Sequence, residues 1–198
     1  MDVLYRSQLF SQEIYKVVCG RNAPSSLQGS IAGGSFDAVL EHHRSIILLA
    51  ERRLFGSAFA LLRPMFDGCI NGLWATHLAT DSELKQFEEN RLTIKPPSVI
   101  NRLKKKLDTD YTGTLQRVYD QAWKVMSSYV HGGFVQVVRR NAPEFIGPNY
   151  TSEEIAEMLE LANSMAVLAV MEIPNFSNDP SFVEEAMNVA KNYADGRD

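Results

Sequence analysis

The sequence predicts an all-α, single-domain bundle of six to eight helices. Three observations lead there. Apolar residues recur at three- and four-residue spacing along most of the 198 residues. Capping signals stand immediately before several of those stretches. Only Val135-Gln136-Val137-Val138 reads as strand-like, and no repeat or change of composition divides residues 1–198 into two domains.

Residues 3–19 carry Leu4, Phe10, Ile14, Val17 and Val18 at mixed spacings of three and four. Residues 22–35 are rich in Ser, Gly and Pro and are expected to form a mobile loop. A second helix is expected over 36–54, its apolar stripe running through Phe36, Val39, Leu40, Ile46, Ile47, Ala50 and Leu54, with His43 on the stripe. The third, over 57–79, is the most apolar. Pro64 inside it should kink the helix or mark its true first turn. Gly68 and Gly72 share one face of it. They lower helix propensity, so another backbone should approach closely there.

Thr80-Asp81-Ser82-Glu83 has capping-box spacing and opens a short fourth helix. Pro96-Pro97 breaks the chain before a basic amphipathic helix over 98–107. Thr112-Gly113-Thr114 separates that helix from a long one over 115–130, which Gly132-Gly133 weaken or end. Helical or extended chain continues to Arg140, and 141–150 is loop. Thr151-Ser152-Glu153-Glu154 opens a helix to about 173, and Asp179-Pro180 opens the last, to about 194.

A net charge of −4 argues against coating nucleic acid by bulk electrostatics, although Arg102-Leu103-Lys104-Lys105-Lys106 and Arg139-Arg140 are local basic patches. Two cysteines, Cys19 and Cys69, make neither a disulfide framework nor a zinc site, and a reducing cytoplasm is the expected compartment. No run reaches the roughly 18 apolar residues of a membrane span. Phosphate-loop, dinucleotide, zinc-protease and DNA-binding motifs are absent, and no cofactor or metal is expected.

Four constellations could carry chemistry. Arg63, Asp67 and Asn71 form a polar row at four-residue spacing on the apolar third helix. The row is either an internal ion pair at the bundle's edge or the floor of a ligand pocket. Ser127 and His131 are also four apart. Without an orienting acid or oxyanion hole, His131 reads either as a proton donor at a helix end or as an ordinary helix terminus capped by glycine. Arg139 and Arg140 suit an anion such as phosphate, or else pair with glutamates on the surface. His42 and His43 point about 100° apart and cannot easily share a metal. His43 reads as a hydrogen-bonded core residue that could still meet the Arg63 row, and His77 reads as core also.

Two stretches carry a family resemblance. They are Gly56-Ser57-Ala58-Phe59-Ala60-Leu61-Leu62-Arg63-Pro64, continuing to Gly72-Leu73-Trp74, and Trp123 to Asn141 with its Met126-Ser127-Ser128, His131, Gly133-Phe134 and Gln136-Val137-Val138-Arg139-Arg140-Asn141. From about Phe36 onward the chain resembles a family of uncharacterised bacterial proteins, a domain of unknown function. That resemblance implies a helical fold and assigns no activity. The chain is more distantly similar to the HEPN superfamily, helical bundles that include RNases of toxin and phage-defence systems. Those RNases set an Arg and a His about five to seven positions apart on one helix, and no arginine here precedes a histidine at that spacing.

Three functions are therefore expected, in this order. The first is a binding or interaction module forming a homo-oligomer, on the strength of the apolar helical surface and the small-residue face at Gly68 and Gly72. The second is a metal-independent RNase or nucleotide-processing enzyme, with His131 as acid or base and Arg63, Arg139 and Arg140 holding phosphate. The third is a small-molecule sensor floored by Arg63, Asp67 and Asn71.

Overall fold

A computed structural model describes residues 2–21, 25–107, 111–142, 144, 146–177 and 179–196. The described residues form nine α-helices and one 3-10 turn, with no strand. The all-α expectation holds.

Helix α1, Val3–Val18, starts where the Asp2 carboxylate accepts the Leu4 N–H, and buries Ser7, Phe10, Ile14 and Val17. Helix α2, Leu27–Glu51, starts at Ser26, whose hydroxyl accepts the Gly29 N–H at 3.0 Å. The expected loop over 22–35 is thereby corrected: from Leu27 onward it is helix. Residues 22–24 lie outside the described residues. Tertiary contact overrides the poor propensity of Gly29, Gly33 and Gly34. Gly29 and Ala32 are buried, and Gln28 donates to the carbonyls of Ala75 and Thr76 at 2.9 and 3.2 Å. It thus satisfies the far end of the next helix.

Helix α3, Phe55–His77, runs unbroken through Pro64, which does not mark its first turn. The pair α2 and α3 forms the most extensive contact of the fold. Gly68 and Gly72 permit it. A Cβ on Gly68 would lie 3.2 Å from the Ser35 carbonyl, and one on Gly72 would lie 2.5 Å from the Phe36 ring. The small-residue face is therefore spent inside the chain and offers no surface to a second copy.

Helix α4, Asp81–Glu88, and helix α8, Ser152–Glu172, both begin with the expected capping boxes, Thr80 with Glu83 and Thr151 with Glu154. Helix α5, Pro96–Lys106, begins at the prolines rather than after them, as Pro at the first helical position allows. Its basic end has a local task. Arg102 and Lys106 donate to the carbonyls of Leu78 and His77 at the C-terminal end of α3.

Helix α6, Tyr111–Val130, ends through Gly132, whose φ of 63° suits glycine. Helix α7, Phe134–Val138, replaces the strand-like expectation for Val135–Val138. No partner strand exists among the described residues, only an isolated bridge between Asn141 and Ile146. After α8 come the 3-10 turn Ile173–Phe176 and helix α9, Pro180–Ala194, capped by Asp179.

Helices α2, α3 and α8 form the centre. Helices α1 and α9 pack on one flank, and α5 and α6 on the other. No described helix is long and apolar enough to cross a membrane.

Candidate functional site

Helices α3 and α6 lie side by side. The contacts Phe59 with Tyr129, Arg63 with Ser127, and Phe66 with Trp123 run antiparallel along them. Arg63 is held by three neighbours. Its Nε donates to Asp67 at 3.0 Å, its Nη1 donates to the Ser127 hydroxyl, and its guanidinium lies 3.2 Å from the Trp123 ring centroid. Ser127 in turn donates to the Trp123 carbonyl at 2.7 Å. Burial raises the Asp67 carboxyl above its ordinary value, against the opposing pull of Arg63. Arg63, Asp67 and Asn71 border a cleft of about 430 Å³ with Trp123, Phe87 and the segment 92–96.

The other phosphate-site candidates do not join that cleft. His131 is exposed just past the end of α6, and its N–H closes the helix on the Ser127 carbonyl at 3.1 Å. Arg139 is paired with Glu154 of α8. Arg140 lies against Gly56, where a Cβ would come within 2.8 Å of its guanidinium. His131, Arg139 and Arg140 line neither this cleft nor the larger cavity described next. His77 pairs with Glu172 at 3.0 Å.

The larger cavity, about 670 Å³, opens between α1, α2, the 3-10 turn and the start of α9. Two helical rows face each other across it. Ser11, Tyr15 and Cys19 come from α1 and its cap. Ser30, Gly33, Gly34, Asp37, Glu41 and Arg44 come from α2. Ile14, Leu40 and Phe182 are buried and form its apolar walls. A Cβ on Gly34 would meet nothing within 4 Å, so the bare helix surface there is part of the open volume. Cys19 is exposed at the rim, whereas Cys69 is fully buried and its thiol is pushed up. The Tyr15 hydroxyl is raised by its hydrogen bond with the Cys19 thiol.

His43 is the one candidate residue that reaches this cavity. Its Nε2 is 2.8 Å from the Asn163 side-chain oxygen. The Asn163 amide donates to Ser7 Oγ at 2.8 Å, and Ser7 donates to the Val3 carbonyl at 2.9 Å. Donor bookkeeping along this chain assigns the proton to His43 Nε2. Burial lowers His43 to about 4, only partly opposed by the Asn163 bond, so the ring is neutral at pH 7. His43 therefore does not meet the Arg63 row. It joins α2 to α8 and α1.

Sequence reasoning missed Asp37, Glu41, Arg44 and Tyr15 because each reads as an ordinary exposed helical residue, and it gave Cys19 no role at a site. Gly33 and Gly34, read as loop, stand within α2 and line the cavity. Among the described residues no group of three or more His, Cys, Asp or Glu could hold a metal ion.

No curated protein and no solved structure matches the chain. Residues 36–196 match the model of a family of unknown function (DUF6988), and the chain belongs to that family.

Proposed function

We propose that the chain is a helical binding module for a small organic molecule, seated in the cavity between α1 and α2. The observation that carries this is the cavity itself, about 670 Å³ with buried apolar walls and a few convergent polar groups. Its volume exceeds that of the cleft beside Arg63. In that cleft Arg63 Nε and Nη1 are already engaged.

The neutral dye Nile red is a suitable probe. It should bind saturably to the wild-type protein with a rise in fluorescence. Gly34→Leu projects a bulky side chain from a position where the Cβ itself meets nothing, and removes a glycine from a helix interior. It should abolish dye binding while the melting temperature stays level or rises. Dye binding that survives this substitution, or that never occurs, removes the proposal.

A second reading rests on a different observation. Val130, Phe134, Val137, Val138 and Ile146 are all exposed, Phe134 at 79% and Ile146 at 89%. Exposed apolar side chains gathered over this stretch of chain suit an interaction surface. The partner is a second copy, since an apolar strip suits a self-complementary contact. Light scattering should then give a mass above 22.2 kDa. The Phe134→Ser/Ile146→Ser variant should return it to the monomer mass. A wild type that is monomeric at high concentration ends this reading.

A further inference from the structure

We infer that the ligand of the α1–α2 cavity is an amphipathic organic cation, an apolar body carrying an amine or ammonium group. This rests on the binding-module reading above and names the chemical class that the cavity selects.

The charges around the opening decide it. Asp37 and Glu41 stand one turn apart on the α2 face of the cavity and take part in no ion pair among the described residues. Arg21, at the other rim, is held by two carboxylates, Asp179 at 2.8 Å and Glu185. Arg44 lies 5.0 Å from the Tyr15 ring centroid. Asp179 and Glu185, outside the cavity lining, neutralise Arg21, so among the lining charges outside ion pairs the two carboxylates of Asp37 and Glu41 stand against Arg44 alone. His43 on the floor is neutral, and the Tyr15 phenol, raised above its ordinary value, is neutral as well. The cavity mouth is net negative at pH 7.

The Tyr15 ring and the buried Phe182 ring each lie beside one of the two lining guanidiniums. Arg44 sits over Tyr15, and the Arg21 guanidinium lies 4.5 Å from the Phe182 ring centroid. Both lining guanidiniums are thus already seated on aromatic rings, which leaves Asp37 and Glu41 to meet a ligand's charge. An anionic ligand would meet Asp37 and Glu41 at the entrance, with Arg44 on the same helix the one lining cation outside an ion pair. The apolar part of the ligand has its own seat. Ile14, Leu40 and Phe182 wall the interior, and Gly33 and Gly34 leave the α2 backbone open to close approach.

Three probes with one apolar body separate charge from shape: 1-naphthylmethylamine, 1-naphthylmethanol and 1-naphthaleneacetate. Titration calorimetry on the full chain at pH 7 and low salt should rank the amine at least tenfold tighter than the acetate, with the alcohol between. Asp37→Asn/Glu41→Gln should erase the preference for the amine and leave the alcohol unchanged. Both positions are exposed, so the fold tolerates the change. Equal binding of all three probes, or tightest binding of the acetate, overturns the cationic class and leaves the cavity reading intact. Failure of all three together with Nile red overturns both.

Discussion

Lowering the pH from about 6.5 to about 4 should cost the fold about 3 kcal/mol through His43 alone. His43 is 1% exposed, and burial lowers it to about 4 from its ordinary 6.5. Between those values the unfolded chain takes up a proton that the folded chain refuses. Stability is therefore complete above about pH 6.5 and falls as the pH drops toward 4. Asp67, which burial raises, works with the opposite sign. Glu83 and Asp179 are held below their ordinary values, so their losses come at lower pH still. Urea unfolding at pH 7, 5.5 and 4 measures the slope. His43→Gln keeps an N–H donor for Asn163 and cannot titrate in this range, so its curve should be nearly flat where the wild type falls. Parallel curves for the two proteins would falsify the assignment. Breaking the network elsewhere should cost at every pH. Asn163→Leu leaves the His43 Nε2–H without its acceptor and takes from Ser7 its donor, leaving Ser7 only the Val3 carbonyl, at about 1–3 kcal/mol for the stranded buried group.

The same residues show how much of the fold was legible. His43 was recognised as a core histidine because a 3.6-residue period put it on the apolar stripe of its helix. Its partner could not be read, since Asn163 lies 120 positions away. Helix starts at Thr80, Thr151 and Asp179 were legible because capping is local chemistry, completed within four residues. The start of α2 was not. Gly29, Gly33 and Gly34 disfavour helix locally, and the contacts that outweigh this come from Ala75 and Thr76, far along the chain.

The candidate site divides in the same way. The Arg63–Asp67 pair lies within one helix and was legible. That Arg63 also meets Ser127 and Trp123 follows only from the pairing of α3 with α6. The α1–α2 cavity was illegible from the outset. Concavity is a property of how helices diverge, and no local pattern of residues encodes it. Arg139 and Arg140 illustrate the converse. Their adjacency suggested shared work, yet in the turn after α7 they diverge, and one meets Glu154 while the other meets Gly56.

One substitution type should change sign between two places in the bundle. Gly72→Ala adds a methyl 2.5 Å from the ring of Phe36, which is itself fully buried. A flat ring clamped on all sides cannot yield a few tenths of an ångström without disturbing its neighbours. Overpacking of this kind costs about 1–3 kcal/mol, more than the gain of up to about 1 kcal/mol from better helix propensity. Gly34→Ala places the same methyl in open space, so only the propensity gain remains and the variant should be more stable by about 0.5–1 kcal/mol. Chemical denaturation of the two single variants reads both signs directly. The Phe36→Leu background tests the cause, because a smaller side chain relieves the clash. Gly72→Ala should cost less there than in the wild type, with a coupling energy above about 0.5 kcal/mol. Equal costs in the two backgrounds would show that the ring is not the obstacle. The close seating of α2 on α3, which leaves the next stretch of α2 free to shape the cavity, would then need another origin.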